Sequence, residues 1–295
     1  MISFLVRTMG LACFQRRRPD MTSWQAGDVR VHGLRIHYTR TGGARYPLVL
    51  AHGFSDDGLC WTPIARALEA MFDVIMVDAR GHGRSDAPDS GYGPLDHAGD
   101  LAGVITALEL HRPLILGHSM GAATALTLAG IRPDLAGAIL LEDPPPWWEV
   151  SALSIAAADN DRWAGMRAWV FGLKRQTRDE LIAAQRAANP AWSDDELGPW
   201  ADAKHRLSLN VINRSAPTEV DWQTILRRIT CPTLLITGDP VRGALVTSEN
   251  VQTLRQFIPH LQVAHLPDAG HSIRRDQFNR YLAVVRDFLT AHAPE

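Results

Sequence analysis

The chain predicts an α/β fold built on a mostly parallel sheet, and three observations predict it. Short apolar runs alternate with stretches of helical spacing from residue 47 to residue 141. That alternation stops at Pro144-Pro145-Pro146 and resumes at Cys231, which leaves residues 144–226 as an insertion of helical character. Between two of the alternating segments sits Gly117-His118-Ser119-Met120-Gly121, a G-x-S-x-G sequence placed where a strand hands over to a helix.

Each element has its own signal. Residues 29–38 alternate with period two around Gly33 and read as a β-hairpin. Thr41-Gly42-Gly43 breaks it. Pro47-Leu48-Val49-Leu50-Ala51 is a continuous apolar run, as in a strand covered on both faces. Trp61 to Met71 has helical spacing through Ile64, Leu68 and Met71, and Phe72 to Asp78 is the next buried strand. Leu95 to Leu110 sets Leu101, Val104, Ile105 and Leu108 on one helical face. Pro113 to Gly117 is a strand, Ala122 to Ala129 a small-residue helix, and Ala138 to Leu141 a further strand. Beyond the insertion come strands at Cys231 to Thr237 and Leu261 to Leu266, then a closing helix from about Gln277 to Ala291. Such alternation implies parallel strands joined by right-handed helical crossovers.

Composition narrows the classes. With 46% hydrophobic and 21% charged residues the chain is not disordered. A formal net charge of −2 supplies no basic face, so nucleic acid is not an expected partner. No apolar run reaches the ~18–20 residues a membrane span needs. Three widely spaced cysteines, Cys13, Cys60 and Cys231, make no disulfide framework and no CxxC pair. No H-E-x-x-H or comparable spacing points to a metal, and Gly81-His82-Gly83 lacks the third glycine of a dinucleotide loop. Neither metal nor cofactor is expected. Residues 1–20 have Arg7 inside their apolar stretch and a basic cluster at Arg16 to Arg18 behind it, the reverse of a secretory signal. They read as a disordered or spurious leader before a second start at Met21. The location expected is cytoplasmic, the partner a small-molecule substrate, with a homodimer left open.

The G-x-S-x-G turn carries the chemistry. A serine on a tight strand-to-helix turn is lifted above the sheet edge, and side chains two residues either side would clash, hence Gly117 and Gly121. The following helix N-terminus favours developing negative charge.

From about Val29 to Ala291 the chain resembles the α/β-hydrolase family. The resemblance rests on Ala51-His52-Gly53-Phe54 after the third strand and Asp78-Ala79-Arg80-Gly81-His82-Gly83-Arg84-Ser85-Asp86 after the fourth. To these add the Ser119 elbow and Ala269-Gly270-His271 after the last strand. It implies an eight-stranded, mostly parallel α/β-hydrolase sheet flanked by helices, with a helical lid inserted after strand 6. The core would comprise residues 21–143 and 227–295, and the lid residues 144–226. It further implies Ser119 as nucleophile, His271 as base, and an oxyanion hole from the backbone N–H groups of Phe54 and Met120. His52 reads as a structural hydrogen-bonder, and the 78–86 stretch as a structural turn.

The acid is harder to place. Most relatives carry it after the seventh strand in a Gly-x-x-Asp pattern, but here that stretch reads Gly238-Asp239-Pro240-Val241-Arg242-Gly243. Some relatives, haloalkane dehalogenase-like and zearalenone lactonase-like, carry it after the sixth. There the chain reads Leu141-Glu142-Asp143-Pro144, and ten residues counted from Pro133 end on Asp143. Asp143 is the expected acid, with Asp239 the alternative and Glu142 a third.

A serine nucleophile argues against the alkyl-enzyme ester that dehalogenase and epoxide hydrolase chemistry needs. The expected activity is hydrolysis of a carboxylic ester or lactone through an acyl-serine. Seven of the nine tryptophans lie in the insertion, which suggests an apolar, aromatic substrate, with Trp147 and Trp148 the pocket candidates. C–C bond hydrolysis of an aromatic degradation product uses the same triad and stays open. So does a small-molecule receptor on the same fold.

Overall fold

The computed structural model describes residues 24–149, 159–213 and 220–294. The expected leader, residues 1–20, lies outside them. The strands are β1 (Gln25–Val31), β2 (Leu34–Arg40), β3 (Pro47–Ala51), β4 (Asp73–Val77), β5 (Leu114–His118), β6 (Ala138–Glu142), β7 (Thr233–Thr237) and β8 (Gln262–His265). They form one eight-stranded sheet in the order β1-β2-β4-β3-β5-β6-β7-β8. β1–β2 and β2–β4 are antiparallel, and every later pairing is parallel. The parallel ladder accords with the buried apolar runs, since each such strand is covered on both faces.

The helices are α1 (Thr62–Leu68), α2 (Pro94–Ala107), α3 (Met120–Ile131), α4 (Asp159–Arg175), α5 (Arg178–Ala188), α6 (Asp194–Arg206), α7 (Trp222–Arg227), α8 (Ser248–Phe257), α9 (Ile273–Asp276) and α10 (Phe278–His292). The period of two along each strand splits the core into two layers. Val49, Ile75, Ile115, Ile139 and Leu235 face one way, against Leu101, Val104 and Ile105 of α2 and Ala122, Ala125 and Ala129 of α3. Leu48, Leu50, Val74, Met76, Leu116 and Ile236 face the other, against Ile64 and Leu68 of α1 and Tyr281, Val285 and Leu289 of α10. The helix read from Trp61 begins as a 3-10 turn, Gly58–Trp61, before α1 takes over.

Helices α4 to α7 lie in sequence between β6 and β7, and all regular structure among the described residues of that insertion is helical. Val170 of α4 packs with Leu207, Val211 and Ile212, and Phe54 and Tyr92 of the core close over this small cluster. Among the described residues no helix is long and apolar enough to cross a membrane.

Three histidines, His82, His97 and His118, are buried near the C-terminal edge of the sheet. Burial holds each in its neutral form, pushing His97 down to about 3 and the other two well below the ordinary imidazole range. In the unfolded chain each would titrate near ~6.5. A folded-state pKa below the unfolded one gives stability that is complete above ~6.5 and is lost as pH falls toward the folded value. The unfolding free energy measured by urea titration is therefore expected to fall between pH 7 and pH 4, by up to ~1.4 kcal/mol per pH unit for each such imidazole. His97→Gln should flatten that slope. A slope identical in the variant would remove His97 from the cause.

Candidate active site

Strand β5 ends at His118, and the next residue, Ser119, takes φ 51° and ψ −114° before α3 begins. The parallel ladder holds it there: Ser119 N–H donates to the Glu142 carbonyl at 2.9 Å. The flanking glycines are required by space. A Cβ on Gly117 would lie 2.3 Å from the Gly121 carbonyl oxygen, and one on Gly121 would lie 2.1 Å from that of Ala51. The Ser119 hydroxyl then stands 3.0 Å from His271 Nε2.

On the neighbouring strand, Asp143 follows β6 with φ 43°, and its N–H donates to the Ile236 carbonyl of β7 at 3.0 Å. Its carboxylate is fully buried, and Oδ2 lies 2.6 Å from His271 Nδ1. The same carboxylate accepts the amides of Leu245, at 2.8 Å, and Val246, at 3.0 Å. With Nδ1–H donating to Asp143, the bare Nε2 faces the Ser119 hydroxyl and can accept its proton.

The rival carboxylates are engaged elsewhere. Asp239 Oδ2 accepts the Asp268 amide at 2.7 Å, and its Oδ1 lies 3.1 Å from His265 Nε2. It clasps the loop after β7 to the loop that leads to His271. Glu142 accepts the Arg274 amide at 2.9 Å and the Tyr281 hydroxyl at 3.1 Å, on the opposite face of its strand from Asp143. The loop after β7 thus offers the site two amides and no carboxylate. Its left-handed Gly243, at φ 95°, turns the chain to present them.

After β3 the chain makes a tight turn in which Asp56 N–H donates to the Gly53 carbonyl at 3.1 Å. His52 lies beneath it. Its Nε2 accepts the Ala79 amide at 3.0 Å, so Nδ1 carries the proton and donates to the Gly53 carbonyl at 2.9 Å. Both ring nitrogens are thereby engaged, which fixes the ring. Gly53 has no room for a side chain, since a Cβ would sit 2.6 Å from His118 Nδ1. His118 in turn donates from Nε2 to the His271 carbonyl at 2.9 Å. Among the described residues, neither the Phe54 nor the Met120 N–H donates a hydrogen bond, so both remain available to a ligand.

The Phe54 ring meets His82 edge-on, with centroids 5.9 Å apart, and meets Trp169 of α4 at 6.1 Å. Trp147 and Trp148 have other aromatic and core partners. Trp147 faces Trp222 at 6.3 Å, and Trp148 packs against the core layer that includes α3. Trp169 of the insertion is thus a tryptophan that meets Phe54, and nothing in its local sequence distinguishes it from the other tryptophans. The buried cations Lys204, Arg274 and Arg275 also escape sequence reading, because their partners lie far away along the chain. Among the described residues no three His, Cys, Asp or Glu side chains cluster as a metal site would need.

The model of the alpha/beta hydrolase family matches residues 48–283. N-formylmaleamate deformylase of Pseudomonas putida is 30% identical over 267 residues, 89% of this chain and 96% of that protein. 2-(Acetamidomethylene)succinate hydrolase of Mesorhizobium japonicum is 27% identical over 253 residues, 83% of this chain and 88% of that one. A solved structure of E-2-(acetamidomethylene)succinate hydrolase superposes with a TM-score of 0.72 at 22% identity, covering 90% of this chain and 99% of that one, which is a likeness of fold. With a matching sheet and a matching family model over most of its length, the chain belongs to the alpha/beta hydrolase family and is a hydrolytic enzyme.

Proposed function

We propose that the chain is a serine hydrolase that cleaves a carboxylic ester or lactone of an apolar, aromatic small molecule through an acyl-Ser119 intermediate. The observation that carries this reading is the relay from Ser119 Oγ through His271, at 3.0 Å and 2.6 Å, to a buried Asp143. As Ser119 Oγ attacks the carbonyl carbon, His271 Nε2 takes the hydroxyl proton, and Asp143 stabilises the imidazolium. The carbonyl oxygen becomes an oxyanion, met by the free N–H groups of Phe54 and Met120. Collapse of the tetrahedral species breaks the acyl–oxygen bond, and His271 returns its proton to the leaving oxygen. Water then repeats the sequence on the acyl-serine and releases the acid.

The apolar substrate class follows from the groups around the turn: Phe54, Met120 and the half-exposed Trp169 ring. In this reading the helices of residues 144–226 act as a lid, with α4 bringing Trp169 over the oxyanion loop. A second reading is hydrolysis of an N-acyl bond, favoured by the names of the two relatives that match most of the chain, a deformylase and an acetamidomethylene succinate hydrolase. The relay is the same, with His271 protonating a nitrogen leaving group. A panel of p-nitrophenyl aryl esters, small lactones and N-formyl or N-acetyl enamides separates the two. Turnover confined to the N-acyl compounds would replace the first reading with the second.

Ser119→Ala should leave the thermal midpoint unchanged and lower kcat by at least ~10³-fold, with labelling by a fluorophosphonate probe abolished. Near-normal turnover in that folded variant would take Ser119 out of the mechanism. Asp143→Asn should lower kcat by ~10³–10⁴-fold, because the ring then loses the partner that fixes its tautomer. Asp239→Asn, which keeps an acceptor for the Asp268 amide, should lower kcat less than about tenfold. The reverse order of effects in steady-state kinetics would move the acid to Asp239.

A further inference from the structure

Behind the turn that carries Phe54 lies a set of buried charges that the relay does not use. Asp56 Oδ1 accepts from Lys204 Nζ at 2.8 Å, and its Oδ2 accepts from Arg274 at 3.2 Å and Arg275 at 2.9 Å. Burial opposes the Asp56 carboxylate, but Arg275, Lys204 and Arg274 together outweigh it and hold its pKa well below the usual range. Arg275 also donates to Glu196 at 3.0 Å. Lys204 is 1% exposed, lies over the Trp200 ring, and gives a second hydrogen bond to the Ser55 carbonyl at 3.0 Å. Lys204 and Glu196 both belong to α6, in the insertion, as does Arg206, which binds Asp57 at 2.7 Å.

The Ser55 carbonyl is the informative partner. Ser55 is the third residue of the Gly53–Asp56 turn and adopts φ 67°. A turn with a left-handed residue at that position favours glycine, so serine is there against its own preference. Something outside the turn must hold it, and the Lys204 ammonium grips both the carbonyl of Ser55 and the carboxylate of the next residue.

We infer that Lys204 is a positioning residue for the oxyanion loop: by holding the left-handed Ser55 turn it aims the Phe54 amide, and it makes the anion site depend on α6 being docked on the core. This inference rests on the reading that Phe54 N–H receives the oxyanion. It assigns the insertion a part in transition-state stabilisation, separate from covering the substrate. Lys204 touches no reacting atom, and its effect passes entirely through the turn. Misplacing one preorganised donor weakens the transition state more than the ground state.

The test compares wild type, Lys204→Met, and Lys204→Met combined with Ser55→Gly, each normalised to folded protein by near-ultraviolet circular dichroism. Glycine adopts the left-handed turn without help, so it should substitute for the lysine's grip. Lys204→Met should lower kcat for a p-nitrophenyl ester by about 10–100-fold with KM within about threefold. The Ki of an aryl trifluoromethyl ketone, whose adduct bears the oxyanion, should rise by the same factor. Adding Ser55→Gly should recover at least half of that loss on a logarithmic scale. If Lys204→Met does not fold, Lys204→Gln with and without Ser55→Gly gives the same comparison. A lowered thermal midpoint with kcat and Ki unchanged would overturn the inference, as would a kcat loss that Ser55→Gly leaves unrepaired. Failure of the ketone and of a fluorophosphonate to act on the wild type is a separate result. It would overturn the serine-hydrolase reading and this inference with it.

Discussion

The site depends on the register of three parallel strands. β5 and β6 pair His118 with Glu142, and β6 and β7 pair Glu142 with Ile236. The ladder runs one residue further on each strand, through Ser119 N–H to Glu142 and through Asp143 N–H to Ile236, and only then does the backbone leave the sheet. Both departures are left-handed, at Ser119 and at Asp143. A positive φ on a non-glycine residue costs of order 1–2 kcal/mol, and the adjoining ladder bonds over-determine it. The proposed nucleophile and acid are thus held by backbone hydrogen bonds, and side-chain packing does not have to place them. His271, the third member, comes from the loop after β8 and is held by side chains: Asp143 at Nδ1, Ser119 at Nε2 and His118 at its carbonyl.

Around this frame the molecule buries an unusual amount of charge. Glu142, the neighbour of Asp143, pairs with Arg274, three residues after His271, and Arg274 reaches Asp56, two residues after Phe54. The ion pairs therefore run between the segments that carry His271, Asp143 and Phe54. Desolvation makes such pairs poor sources of net stability, yet losing one partner leaves a buried charge uncompensated, at about 3–5 kcal/mol. Their physical effect is to make wrong loop arrangements costly.

How much of this is legible in the sequence varies by kind of interaction. The parallel strands are legible because burial on both faces writes itself as continuous apolar runs, as in residues 47–51 and 233–237. The elbow is legible because its geometry admits only glycine at two fixed positions. The pairing of Lys204 with Asp56 is not legible, since 148 residues separate them and Asp194–Arg206 reads locally as a charged, solvated helix. Nor is the aromatic that meets Phe54. Trp147 and Trp148 stand next to Asp143 in sequence, but the ring that meets Phe54 is Trp169 of α4, while Trp147 faces Trp222. Nearness in sequence predicts nearness in space along one strand end and fails beyond the first turn.

The proposed acid shows how one sheet edge can present a carboxylate from either of two neighbouring strand ends. The ends of β6 and β7 are adjacent strand termini at one sheet edge, so a carboxylate on either can approach the loop after β8. In this chain the carboxylate that meets His271 directly follows β6, and the loop after β7 turns its Leu245 and Val246 amides toward it. Those amides serve a buried anion better than another carboxylate would, because they satisfy its remaining lone pairs without adding like charge. Asp239, in the loop after β7, is engaged with the Asp268 amide and faces His265. The departure from the Gly-x-x-Asp pattern therefore leaves no gap in the site. The loop after β7 supplies no carboxylate to His271, and its amides bind the one that does meet it.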